Sequence, residues 1–289
     1  MRLVKSLLLA SGLFVSLFCF SEEMEISKEK INYKGIQAYL YKPASNVPLP
    51  AIIVVGGSEG GFTTAESMGP KLAKQGFVVL GMAYFGAEGL PEKLNKIPLE
   101  QFFFGIDFLQ SQETVIKGKI GFTGGSKGGE LALLISSMDP RVKAVSAFTP
   151  ASVVFQSARY AKSLTSSWTH NNQEIPFVPY KGNIYPEDWR ELIHMFNESL
   201  TQEESVKSAT IKVEKINGAI QLISATKDEI WPSTKMSIDI QKRLVDHNFN
   251  HSFQHLAVNT GHSFSKNWAP VLEEQIANFF ILHLKREPM

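Results

Sequence analysis

The sequence predicts an α/β fold in which a mostly parallel sheet carries helices on both faces, and three observations point there. Short apolar runs rich in β-branched residues recur along the chain, as at Ala51–Val55 and Ala219–Ser224. Strands this apolar are covered on both faces, which is the condition of a parallel sheet. Between the runs lie stretches with helical periodicity, so strand and helix alternate. Finally, 289 residues with 44% hydrophobic content are enough for one large core, and no repeat of solenoid or propeller length is present.

Element by element, Ile31 to Tyr41 alternates polar and apolar residues, as antiparallel strands with one wet face do. After the proline-rich break from Pro43 to Pro50, Ala51–Val55 reads as a central parallel strand running into glycines. Thr64 to Gln75 reads as a helix closed by Gly76, and Phe77 to Leu80 as a buried strand. A helix over Leu99 to Leu109, a strand over Lys119 to Thr123, a helix over Lys127 to Ser137 and a strand over Val142 to Phe148 follow. The alternation then lapses from Ala151 to Lys215, a stretch with Trp168, Pro176, Phe177, Pro179, Tyr185 and Trp189 but no clear strand. It resumes with a strand at Ala219–Ser224, a helix over Ser233 to Val245, a strand near Ser252 to Val258 and a closing helix over Trp268 to Leu284. The interruption, residues 151–215, is expected to be an insertion folding over the carboxyl edge of the sheet, where such folds bind ligands.

The start of the chain follows other rules. Arg2 and Lys5 precede an apolar run from Ser6 to Phe20, which Glu22 and Glu23 stop. A basic start, a run too short to span a bilayer comfortably and a small residue at its end describe a secretory signal peptide, residues 1–21. An uncleaved anchor is the alternative; lipid modification of Cys19 is disfavoured by bulky Phe18 before it. Cys19 is the sole cysteine and is expected to leave with the signal, which excludes thiol chemistry and disulfides from the exported protein. The formal charge of +1, without a basic stripe, argues against nucleic acid as a partner. No H-E-x-x-H, C-x-x-C or carboxylate cluster suggests a metal, and no cofactor is expected.

Chemistry enters at Gly124-Gly125-Ser126-Lys127-Gly128, a G-x-S-x-G motif placed between a predicted strand and a predicted helix. That is the setting of a nucleophile elbow, in which a tight turn raises a serine above the sheet, and it narrows the class to the α/β-hydrolase fold. A serine hydroxyl attacks poorly unless a base takes its proton, so a histidine and an acid to orient it must follow. Asp228 falls on the loop after the Ala219–Ser224 strand, and His262 after the next strand, giving the order Ser, Asp, His with each at a strand's carboxyl end. Glu229 is the alternative acid. His251 and His255 read as packing or surface residues, and His170, His194, His247 and His283 lack strand-end placement. For an oxyanion hole the Lys127 amide is one expected donor. The second is expected from the glycine-rich loop Gly56–Gly61, with Gly57, Ser58 and Glu59 left open as candidates.

From about Ala51 to its C-terminus the chain resembles the catalytic domain shared by acyl-CoA thioesterases and bile acid-CoA:amino acid N-acyltransferases. The resemblance is carried by Gly56-Gly57-Ser58-Glu59-Gly60-Gly61, Ala83–Gly86, Gly89-Leu90-Pro91, Pro98-Leu99-Glu100, Gly125–Leu133, Ser167-Trp168, Ile175-Pro176-Phe177, Glu214–Gly218, Asp228 with Trp231-Pro232-Ser233, and Gly261-His262. It implies Ser126 as nucleophile, Asp228 as acid and His262 as base. The family's amino acid transferases use a cysteine nucleophile, so serine at 126 implies water as the acceptor. Larger members carry an N-terminal β-sandwich domain, for which too few residues precede Ala51. The expected function is therefore serine-dependent hydrolysis of an acyl thioester by an exported monomer. An exported carboxylesterase or dienelactone-hydrolase-like enzyme is the alternative, and a binding protein on a hydrolase fold the second. Trp168, Phe177, Tyr185 and Trp189 are candidates either for an acyl pocket or for the insertion's own core.

Overall fold

The computed structural model describes residues 25–157, 164–183 and 185–286; the expected signal peptide, with Cys19, lies outside them. Among the described residues an eight-stranded sheet runs in the order β1-β2-β4-β3-β6-β7-β10-β11. Its strands are β1 (Ile26–Tyr33), β2 (Ile36–Pro43), β3 (Leu49–Val55), β4 (Val78–Ala83), β6 (Val115–Gly125), β7 (Val142–Phe148), β10 (Ala219–Ala225) and β11 (Phe253–Val258). Only β1–β2 and β2–β4 pair antiparallel; the pairs from β4 through β11 are parallel. Helices α1 (Thr63–Lys74), α2 (Glu100–Ser111), α3 (Lys127–Met138), α6 (Ser233–Asp246) and α7 (Ala269–Phe280) cover the sheet.

Side chains on a strand alternate between faces, and β3 divides accordingly. Ile53 and Val55 join one core with Phe102 and Ile106 of α2, Leu131 and Ile135 of α3, and Ile240 and Leu244 of α6. Ile52 and Val54 join the opposite core with Met68 and Leu72 of α1 and Ile276, Phe279 and Phe280 of α7. Both faces are thus dry, which is why Ala51 to Val55 is apolar without a break. Because β3, β6, β7, β10 and β11 run parallel, the loops leaving them gather at one edge.

The segment between β7 and β10 holds more order than its sequence suggests. A short strand, β8 (Trp168–His170), pairs with the two-residue β5 (Ile97–Pro98) on one side and with β9 (Gln173–Glu174) on the other, in a small separate sheet. Strands this short carry no readable periodicity, so no strand was expected there. Helices α4 (Leu192–Ser199) and α5 (Glu203–Ala209) follow. They build a third core in which Phe155, Val178, Tyr180, Met195 and Phe196 pack with Trp231 and Met236 of the main domain. The closing helix also differs from expectation: after Phe280 it widens into a π-type turn over Ile281–Lys285. No helix among the described residues is long and apolar enough to cross a membrane.

Candidate active site

Ser126 stands between β6 and α3 with φ 56° and ψ −124°, in a region that non-glycine residues rarely enter. The flanking glycines are required by sterics. A Cβ on Gly128 would overlap the carbonyl oxygen of Gly56, and one on Gly125 would overlap the Phe148 ring. The Ser126 N–H donates to Phe148 O at 3.0 Å and to Thr149 Oγ1 at 3.3 Å, so this amide is engaged by the turn itself. Lys127 is the first residue of α3, and an amide in that position has no partner within its helix.

His262 lies just beyond β11 and Asp228 just beyond β10, and both reach Ser126. His262 Nε2 is 2.9 Å from Ser126 Oγ, and His262 Nδ1 is 2.8 Å from Asp228 Oδ1. A carboxylate only accepts, so Nδ1 carries the proton and the Nε2 lone pair faces the serine hydroxyl. Asp228 is held in turn: Oδ1 accepts from the N–H groups of Ile230 (3.0 Å) and Trp231 (3.2 Å), and Oδ2 from Ser233 Oγ (2.6 Å). Its side chain is 2% exposed against 11% for His262, so the pair is shielded while the imidazole still borders the site. The alternative acid, Glu229, is placed elsewhere: its Oε2 accepts the His262 backbone N–H at 3.0 Å. Trp231 meets the imidazole edge-on, with ring centroids 5.9 Å apart.

The loop after β3 commits one of its three candidate donors. The Gly57 N–H donates to Glu59 Oε2 at 2.9 Å, and the Glu59 carboxylate also accepts from Thr64 Oγ1. Glu59 therefore acts on the loop through its carboxylate, and it occupies the Gly57 amide. Gly57 packs so close to Ser126 that a Cβ would come within 3.1 Å of the serine Cβ. The buried Tyr84 hydroxyl pins the loop from below, donating to the carbonyls of Gly56 (2.8 Å) and Gly57 (3.0 Å). Burial pushes the Tyr84 phenol well above its usual range, with Glu59 and Glu130 adding to the effect, so it stays a donor.

The Lys127 side chain leaves the site and is buried. Its ammonium meets both Glu130 oxygens (2.8 and 2.9 Å) and the Phe155 carbonyl (3.2 Å). Glu130 also accepts from Trp168 Nε1–H at 2.7 Å. Trp168 is thus a fully buried tie between α3 and the insertion, packed against Tyr84 and Phe102. Phe177 packs against the main core, Tyr185 stacks edge-on to Tyr180, and Trp189 is 56% exposed. These are contacts of interior packing for the first three and of surface for the fourth. His255 bonds Ser224 Oγ (2.7 Å) and Gln241 Oε1 (3.0 Å), away from Ser126. Among the described residues no group of three or more His, Cys, Asp or Glu side chains could hold a metal ion.

Sequence reasoning did not single out Thr149, Tyr84, Glu130 or Ser233 for the site. Ser233 had a signal, since it opens α6 five residues after Asp228; the others depend on packing between distant segments.

Residues 97–284 match the family model of the BAAT / acyl-CoA thioester hydrolase C terminal. The chain belongs to that family. Acyl-coenzyme A amino acid N-acyltransferase 2 of Mus musculus is 26% identical to it over 247 residues, 85% of this chain and 56% of the relative. Acyl-coenzyme A thioesterase 1 of Homo sapiens is 25% identical over 225 residues, 77% of this chain and 50% of the relative. This member of the BAAT / acyl-CoA thioester hydrolase C-terminal family thus spans about half the length of such relatives. Among solved structures, the acylaminoacyl peptidase of Pyrococcus horikoshii superposes with a TM-score of 0.62 at 15% identity, covering 91% of this chain and 43% of the peptidase. A dienelactone hydrolase-like promiscuous phosphotriesterase from metagenomic libraries gives 0.57 at 12% identity, covering 89% and 98%. At these identities the likeness is one of fold, and the fold is that of the α/β-hydrolases.

Proposed function

We propose that the protein hydrolyses an acyl thioester of the acyl-CoA kind through a covalent intermediate on Ser126. The observation that carries this reading is the hydrogen-bonded series Ser126–His262–Asp228 at an elbow that leaves the Lys127 amide unpartnered within its helix. His262 Nε2 takes the hydroxyl proton as Ser126 Oγ attacks the acyl carbonyl. The oxygen of the tetrahedral intermediate takes its negative charge between amides already in place. Lys127 supplies one amide. With Gly57 engaged by Glu59, the second comes from the Ser58 or the Glu59 N–H in this reading. Collapse of the intermediate expels the thiolate, which takes the proton from His262. Water then attacks the acyl-serine, losing its proton to His262, and the acid leaves as Ser126 regains its hydrogen. Asp228 keeps the imidazole in the required tautomer and stabilises its cation without taking the proton.

The test is turnover of acyl-CoA thioesters and p-nitrophenyl esters with matched acyl chains, with Ser126→Ala beside the parent. Cleavage of thioesters that is lost in the variant supports the reading. Cleavage of simple esters alone removes the thioester and leaves an esterase; no turnover of either removes the hydrolase.

A further inference from the structure

Thr149 is a β-branched residue with φ 39°, in the left-handed region where its Cβ substituents crowd the backbone. It is 1% exposed and directly follows β7, so neither a solvent-facing turn nor glycine-like freedom accounts for it. Each of its three polar backbone and side-chain positions is committed. The N–H donates to Ile223 O of β10 (2.7 Å), Oγ1 accepts from the Ser126 N–H (3.3 Å), and the carbonyl accepts from Trp231 Nε1–H (3.1 Å). Its neighbour Phe148 gives the same Ser126 amide a second acceptor at 3.0 Å. Helix α3 presses on this backbone, since a Cβ on Gly129 would come within 3.0 Å of Phe148 O and 3.4 Å of Pro150 Cα.

These contacts form one path. From Ser126 N it runs through Thr149 to the Trp231 indole; the Trp231 backbone N–H then reaches Asp228 Oδ1, which accepts from His262. The imidazole and the serine are therefore related twice, once by their own hydrogen bond and once through Thr149. We infer that Thr149 is a positioning residue for the proposed hydrolysis: held in place by its strained backbone, its hydroxyl sets the Ser126 turn against the loop that carries Asp228. Strain of this kind persists only where surrounding structure over-determines it, and it gathers at functional sites. The inference rests on the reading of Ser126 as nucleophile and goes beyond it by naming what holds nucleophile and acid loop in register.

The test compares Thr149→Val, which keeps shape and loses the hydroxyl, with Thr149→Ser, which keeps the hydroxyl. Each is read by the rate of fluorophosphonate labelling and by kcat and KM on the best ester or thioester, with Ser126→Ala as control. Unfolding midpoints fix the folded fraction. Thr149→Val is expected to label about tenfold more slowly, with kcat reduced alike and KM unchanged, as for one lost hydrogen bond at a reacting turn. Thr149→Ser is expected within about twofold of the parent on the same scale. A merely structural role would lower the midpoint and leave labelling per folded molecule unchanged. Labelling lost in Ser126→Ala but at the parental rate in Thr149→Val overturns this inference alone. Labelling that persists in Ser126→Ala overturns the reading of Ser126 and this inference with it.

Discussion

Replacing Glu130 by Gln removes one charge from a place where its partner has no access to water. Lys127 is 3% exposed and Glu130 wholly buried, and the ammonium touches both carboxylate oxygens. Burial is the leading influence on each group. It pushes the Lys127 ammonium down and the Glu130 carboxyl up, each against the pull of the other. Desolvation thus offsets the attraction, and the intact pair adds little net stability, whereas one charge alone is costly by about 3–5 kcal/mol. Glu130→Gln is expected to lower the unfolding free energy by at least that amount: the amide oxygen can still accept from Trp168 Nε1–H, while the amide nitrogen that replaces the other oxygen no longer accepts from the Phe155 N–H or the ammonium. Adding Lys127→Met removes the stranded ammonium at similar volume, so the double variant should return to within about 1.5 kcal/mol of the parent. Lys127→Met alone strands the carboxylate instead. A carboxyl whose folded pKa is raised contributes full stability below its unfolded pKa and loses it as pH rises through the folded one. The deficit of Lys127→Met should therefore shrink as pH falls from neutral toward the ordinary carboxyl range. Urea unfolding followed by tryptophan fluorescence measures all three. A Glu130→Gln variant within about 1 kcal/mol of the parent, or a double variant no better than the single, would refute the desolvation argument.

Three further outcomes follow from the site's geometry. Asp228→Asn is expected to lower kcat by roughly 10³–10⁴-fold with little change in KM, because the amide no longer selects the Nδ1–H tautomer of His262; steady-state kinetics at neutral pH decides it. Gly128→Ala places a Cβ against the Gly56 carbonyl, so purified protein should lose fluorophosphonate labelling together with at least about 1–3 kcal/mol of stability. Glu229→Ala leaves the His262 backbone N–H without its acceptor and is expected to reduce kcat about tenfold, while Glu229→Gln, which can still accept, stays near the parent. Equal activity in Glu229→Ala and the parent would show that the loop holds His262 without this contact.

The sequence announces some parts of this molecule more clearly than others, for physical reasons. A strand buried on both faces must be apolar throughout, so Ala51–Val55 and the core of β10 show themselves, and β7 is found with its bounds. Ser126, Asp228 and His262 were legible as positions because each closes a readable strand, and the folded chain brings them within hydrogen-bonding distance. The pairing of β5 with β8 was not legible, since two- and three-residue strands have no period and Ile97 and Trp168 are distant in the chain. Gly57, Ser58 and Glu59 could not be ranked as donors from glycine spacing. The structure adds one fact that spacing does not carry: the Glu59 carboxylate turns back to take the Gly57 amide and the Thr64 hydroxyl. Thr149 gave no signal, because a left-handed backbone at a β-branched residue runs against local preference and is imposed by α3, β10 and Trp231.

Acyl transfer through Ser126 is tested by rapid acid quench of the protein with an acyl-CoA, followed by intact-mass and peptide measurement. The expected result is an added acyl mass confined to the peptide that contains Ser126, rising before steady state and absent from Ser126→Ala. Thioester turnover without any adduct, and undiminished in Ser126→Ala, would contradict it.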